Sequence, residues 1–327
     1  MDRRAFLGGL TGGLLARPLA AGAQPAGKIA RIGFLSPATA SDPRMQGLVD
    51  AFRRGLGDLG HVEGRTFTIE SRWAEGRYER LARLAAELVA LKVDVILAVA
   101  VPAIRAVKEA TRTVPIVMAS VVDPVATGLV AGLARPGGSV TGLSNMAPDV
   151  TGKLFEITKQ LVPKASLVAV LWNPDNPGNA PQLQSAETAG RALGIRLQPL
   201  EARTPEDLGP AFAAMARQHA EALVVLADIM LNENRPRIAD LATAGRLPAV
   251  YGQEGPAGGL ATYSANTPDL FRRSATYVDR ILKGARPGDL PVEQATRFDL
   301  VVNLKAARAI GLTVPRSLLL RAEQVIE

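Results

Sequence analysis

The sequence predicts an α/β fold of two doubly wound lobes, and three observations carry that prediction. Short apolar runs rich in β-branched residues recur, such as Val93–Ala100 and Leu167–Trp172. Runs of this kind suit parallel strands buried on both faces. Stretches with apolar residues at helical spacing alternate with them. The same strand–helix rhythm is then played twice within 327 residues, a length that favours two cores over one.

Taken in order, Ile29–Ser36 reads as the first strand and ends in a polar, proline-marked loop, Ser36–Pro43. A helix follows to about Leu59. Arg65–Trp73 alternates as a half-exposed strand, and Tyr78–Leu91 places Leu81, Leu84, Ala85 and Leu88 on one helical face. The organising unit is 93–125. A buried strand runs into Pro102, which suits a first helical turn, and a short helix leads to the strand Val114–Ala119. Pro136–Gly138 then turns into the strand Ser139–Met146.

In the second half Asp149 is the expected N-cap of a helix to about Leu161. Strands follow at 167–172, 196–201, 222–227 and 248–251, with helices at 180–193, 205–218 and from Asp228 to about Ala244. Gly258–Ser264 reads as a crossing strand returning to the first lobe. Thr267–Lys283 is a long amphipathic helix, 298–303 a last strand and 305–310 a short helix. The expected division is residues 28–144 plus about 260–290 in the first lobe. The second lobe takes 145–259 plus about 291–327.

In open α/β sheets ligands bind beyond the carboxyl ends of the strands. The candidate ligand-binding residues are therefore Ser36, Ala100, Val101, Ser120 and Asp123 in the first lobe. In the second they are Asn173, Asn176, Asp228, Tyr251 and Glu254. Such a set suits a zwitterion. Backbone N–H groups near Val101–Ala103 with the Ser120 hydroxyl would hold a carboxylate, and Asp228 or Asp123 an ammonium. Each residue also has a local explanation. Ser36, Asp123 and Asn173 flank prolines and equally shape turns, and Asp228 equally caps its helix. Trp73 and Trp172 have the reach to stack on an aromatic ligand, although strand packing suits Trp172 better.

Other chemistry finds little support. Neither His61 nor His219 has metal-ligand spacing to a neighbour, and both read as surface residues. G-x-S-x-G, the P-loop and the Rossmann glycine fingerprint are all missing. With no cysteine there is no lipidated anchor, disulfide or thiolate metal site. We expect no catalytic residue, no metal and no cofactor. A carboxylate pair such as Asp123 with Asp228 keeps a periplasmic hydrolase as an alternative. A ligand-sensing module for a membrane receptor is another. The formal charge is +7, of which residues 1–23 carry +2; the basic residues are interspersed with acidic ones, so no nucleic acid is expected. Asp2-Arg3-Arg4-Ala5-Phe6-Leu7 matches a twin-arginine export motif, with an A-x-A site at Ala21–Ala23. The expected product is a soluble monomer in the periplasm.

Several segments carry a resemblance: RIGFLS (31–36), AFRRGLGDLGHVEG (51–64), IESRWAEGRYERL (69–81) and DPVATGLVAGLARPGGSVTGLS (123–144). So do NPDNPGNAP (173–181), the stretch from Tyr277 to Pro315, and LLLRAEQVIE (318–327). Over essentially the whole mature chain the sequence resembles solute-binding proteins of ABC transporters, of the tryptophan/tyrosine-binding kind. The resemblance implies a type I periplasmic binding protein fold, with two Rossmann-like lobes joined by three crossovers. It also implies a small solute, an amino acid or similar, delivered to an ABC permease in the inner membrane. Relatives tend to carry a Thr-Gly-Thr-Pro-like loop where this chain has Ala100-Val101-Pro102, so two hydroxyl donors are lost here.

Overall fold

A computed structural model describes residues 28–254 and 258–327. The export segment read at 1–23 lies outside the described residues. The first half of the chain runs β1 (Ala30–Ser36), α1 (Pro43–Asp58), β2 (Phe67–Trp73), α2 (Leu81–Ala90), β3 (Val95–Ala98), α3 (Ala100–Ala110), β4 (Ile116–Val121) and β5 (Val140–Ser144). The second contains α4 (Ala147–Leu161), β6 (Leu167–Trp172), α5 (Asn179–Leu193), β7 (Arg196–Glu201), α6 (Leu208–Arg217), β8 (Ala222–Val225), α7 (Ile229–Glu233), α8 (Arg235–Ala244), β9 (Ala249–Tyr251) and β10 (Ala261–Ala265). The last part holds α9 (Thr267–Leu282), β11 (Glu293–Gln294), β12 (Phe298–Asn303), α10 (Leu304–Ile310), α11 (Arg316–Leu319) and β13 (Gln324–Ile326).

Two sheets result. One is parallel throughout, in the order β11-β5-β4-β3-β1-β2. The other runs β13-β12-β10-β9-β8-β6-β7, with an antiparallel step between β10 and β12. Each sheet separates two apolar layers. In the first lobe Phe34, Leu97 and Val117 face α1 and α9, while Leu35, Ile96 and Met118 face α2 and α3. The second lobe repeats this, with Val168 and Val224 on one side and Ala169 and Leu223 on the other. Burial on both faces is why these strands read as apolar runs rather than alternations.

The chain passes between lobes three times, at 144–147, 265–267 and 294–298. Two expected boundaries move. Ala261–Ala265 pairs with β9 and β12, so it completes the second sheet, and the return to the first lobe begins at α9. Residues 293–294 pair with β5 and so stay with the first lobe beyond residue 290. Asp149 sits within the first turn of α4 rather than at its N-cap, which falls at Met146. His61 is partly buried rather than a free surface residue: its Nε2 lies 2.9 Å from Asp279 Oδ1, and Phe67 meets its ring edge-on. Trp73 packs on Phe34 and Trp172 on the second-lobe core, both away from the cleft. Among the described residues no helix is long and apolar enough to cross a membrane.

The α1–α9 contact ties chain segments more than two hundred residues apart, and Gly55 makes it possible. A Cβ there would sit 2.2 Å from the Arg272 carbonyl oxygen. We expect Gly55→Ala to destabilise the fold by about 1–3 kcal/mol through overpacking, read as a lower midpoint in thermal unfolding. An unchanged midpoint would show that the two helices separate freely.

Candidate solute-binding cleft

Strand ends from both sheets converge on a cavity between the lobes. It contains about 490 Å³ of non-atom space, part of it continuous with solvent, and adjoins a second compartment of about 310 Å³. The first lobe contributes Val99–Val101 at the start of α3, Ser120 and Val122 at the end of β4, and Asn145 after β5. Arg44, Met45 and Leu48 come from the start of α1, and Thr267 and Phe271 from α9. The second lobe contributes Asn176, Ala227–Ile229 and Gln253.

Local backbone devices aim these groups. β4 carries one extra residue against β5 between Met118 and Val121. Such a bulge re-aims side chains at a strand end, and Ser120 lies within it. Gly142 sits opposite at φ 132°, where a Cβ would meet Met118 backbone atoms at 2.3–2.9 Å. Ala100 opens α3 at φ 67°, the left-handed region where an L-residue is strained.

Asp228 is the hub. It is 2% exposed, and its two oxygens accept four hydrogen bonds. Oδ1 accepts from Asn173 Nδ2 at 3.3 Å and from the Leu231 N–H at 3.1 Å. Oδ2 accepts from Asn176 Nδ2 and from the Tyr78 hydroxyl, both at 2.9 Å. Asp228 is thus the N-cap of α7 and also a bridge between lobes, since Tyr78 precedes α2 in the first lobe. Buried amides fix its place: Gln182 holds both the N–H and the carbonyl of Ala227, and Asn179 bonds the same carbonyl and the Asn173 N–H. Burial pushes the Asp228 carboxyl above its ordinary value, against the pull of these bonds. Burial, then the Asp228 charge, pushes the Tyr78 hydroxyl well up, so it stays a donor.

Two further second-lobe carboxylates reach across. Glu233 accepts from the Thr39 N–H at 2.6 Å, and Glu254 from the Thr267 N–H at 3.4 Å. Burial raises both above the usual glutamate value. The lobes are therefore closed on each other, with donors from the first meeting carboxylates of the second.

Of the ten residues read from the sequence, Ala100, Val101, Ser120, Asn176 and Asp228 line the cavity. Asn173 stands behind it as a support for Asp228, and Glu254 lies at the seam. Three are elsewhere. Ser36 caps its own turn through the Ala38 N–H at 3.1 Å. Asp123 caps the 124–127 turn, accepting from the Val125 and Ala126 N–H groups, and is not among the residues lining the cavity with Asp228. Tyr251 lies under the Arg235 guanidinium at 4.3 Å, and that guanidinium bonds the Gln253 carbonyl. Tyr251 is thus buried structure behind the cleft.

Sequence reasoning passed over Arg44, Phe271, Gln253 and Tyr78. Arg44 did leave a signal: a cation in the first turn of a helix opposes the positive end of the dipole. The others sit on amphipathic faces or in loops where spacing gives no hint.

The sequence and the described fold match known proteins. The family described as ABC transporter substrate binding protein matches residues 37–326. The chain belongs to that family. It is 25% identical over 272 residues to a tyrosine-binding protein of Clostridioides difficile (strain R20291), covering 83% of this chain and 78% of that one. Among solved structures, the ABC domain in complex with L-Trp from Streptococcus pneumoniae is 26% identical, with a TM-score of 0.85. A conserved domain protein from Vibrio cholerae is 27% identical, with a TM-score of 0.86. Each match covers 91% of this chain and 100% of the other. A glucose-galactose binding protein from Geobacillus stearothermophilus, 13% identical at a TM-score of 0.65 over 84% of this chain and 98% of that one, shares the fold. The fold is the type I periplasmic binding protein fold, and the family's task is binding a solute.

Two outcomes follow from the seam. Tyr78→Phe removes a cross-lobe donor from a buried carboxylate, so ligand affinity should fall by about tenfold. Small-angle scattering should show a more open average shape; titration calorimetry with wild-type affinity would contradict this. Glu233→Gln keeps an acceptor for Thr39 and removes the ionisation. Because the folded carboxyl lies above its unfolded value, its contribution to stability is greatest at low pH and declines as pH rises through the raised folded value. The melting temperature of Glu233→Gln should therefore depend less on pH across the weakly acidic range, and a steeper dependence would refute that assignment.

Proposed function

We propose that this chain is an extracytoplasmic receptor that captures an apolar or aromatic amino acid, or a close analogue, and hands it to an ABC permease. The observation that carries the reading is the mixed lining of the cavity between the closed lobes. Met45, Leu48, Ile229 and Phe271 give it apolar surface, while Arg44, Ser120, Asn145 and Gln253 give it polar groups. An amphipathic solute buries its side group against the first and its head group against the second. The tyrosine-binding relative and the L-Trp complex support the same class of solute. The twin-arginine motif supports export with cleavage after Ala23, and closure of two lobes on a solute is a change of shape that a membrane partner can read. We read the working form as a monomer that needs no cofactor.

Native mass spectrometry of protein as purified, and melting temperature across an amino-acid panel, test the reading. A solute held at about 100 times its Kd should stabilise the fold by about 2.7 kcal/mol. Absence of a co-purified mass, together with no stabilisation by any apolar or aromatic amino acid, would sink it.

A further inference from the structure

The charge arrangement inside the cavity is one-sided. Asp228 is the acidic residue among the described residues lining it, and each of its oxygens already accepts two hydrogen bonds. A carboxylate offers about four acceptor positions, so a ligand ammonium finds no open one here. Arg44 presents the opposite case. Its side chain is 11% exposed and lines the cavity, and its Nε and Nη2 have no hydrogen-bond partner among the described residues. Asp42 Oδ2 lies 3.9 Å from Nη2, beyond hydrogen-bond length. Glu233 and Glu254 act on Arg44 through their charge while bonding backbone N–H groups of Thr39 and Thr267. Buried donors left without acceptors are costly, and a planar guanidinium fork fits a carboxylate.

One other fact points the same way. Gln253 also lines the cavity, and its buried Oε1 has no hydrogen-bond partner among the described residues. It offers an amine a neutral acceptor and no charge.

We infer that Arg44 is the anchor for the ligand's carboxylate and that the α-amino group goes without an ion pair, so the site accepts apolar monocarboxylates lacking that amino group. The inference rests on the solute-receptor reading above and specifies which end of the solute is recognised.

Titration calorimetry on the mature chain, stripped of ligand by unfolding and refolding, tests it with three matched probes. These are L-phenylalanine, 3-phenylpropionate and 2-phenylethylamine. The acid should bind within about tenfold of the amino acid, and the amine about 100-fold more weakly, as expected for loss of a charge-assisted pair. Arg44→Gln should weaken amino acid and acid alike by about 10- to 100-fold. Arg44→Lys, which keeps the charge without the fork, should fall between, and its circular dichroism melt reports whether the fold survives. Amine binding comparable to the acid, loss of binding by the acid alone, or an Arg44→Gln variant with unchanged affinities would overturn the inference. If none of the three binds while another solute co-purifies, the aromatic amino-acid reading fails by itself. An anionic co-purified solute released by Arg44→Gln would then uphold the anchor, and an uncharged or cationic one would overturn it. No binding and no co-purified solute would overturn both.

Discussion

One buried carboxylate organises the cleft. Asp228 sits where water cannot reach, and a lone charge in such a place is strongly unfavourable. Three of its donors belong to the second lobe and one, the Tyr78 hydroxyl, belongs to the first. The full set therefore exists in the closed arrangement, so the electrostatics of one side chain and the relative position of two sheets are a single variable. The same logic extends outward through Glu233 and Glu254, whose first-lobe donors are backbone N–H groups. A seam of this kind is sensitive to separation, because opening it strips partners from several carboxylates together.

The polar framework and the surface offered to a guest are distinct. Asn173, Asn179 and Gln182 spend their amides on backbone and on Asp228. They fix geometry and leave recognition to groups with unused capacity or apolar area. Arg44, Gln253 and Phe271 are of the second sort, and they arrive from three different elements. This separation lets the site keep one shape while its chemistry varies with a few side chains.

The fold was legible because strands buried on both faces leave an apolar run that little else produces, as 93–100 and 167–172 illustrate. The short edge strands Glu293–Gln294 and Gln324–Ile326 were missed, since two or three residues carry no period. The strand-end rule found Ala100, Ser120 and Asp228 because it locates where a sheet stops. It does not fix where a side chain points, which is why Ser36 and Asp123, each satisfied by its own turn, looked equivalent. Asp228 met its local reading as a helix cap. Capping α7 uses one lone pair of one oxygen, leaving the other positions for the lobe bridge. Arg44 and Phe271 lay on helices read for their core faces, and a helix that packs a lobe and also borders a gap shows one pattern for both tasks.

The return of α9 to the first lobe bears on how the molecule assembles. Phe271, Tyr277 and Val278 complete the layer built by Phe34, Phe52 and Leu56, yet they are synthesised after β6–β10. The N-terminal half therefore stays without part of its core until most of the chain exists. Long-range closure of this sort slows folding and keeps apolar surface uncovered in the interval. In a growing chain the second lobe, despite its later start, has its sheet from β6 to β10 in hand before the first lobe can be sealed.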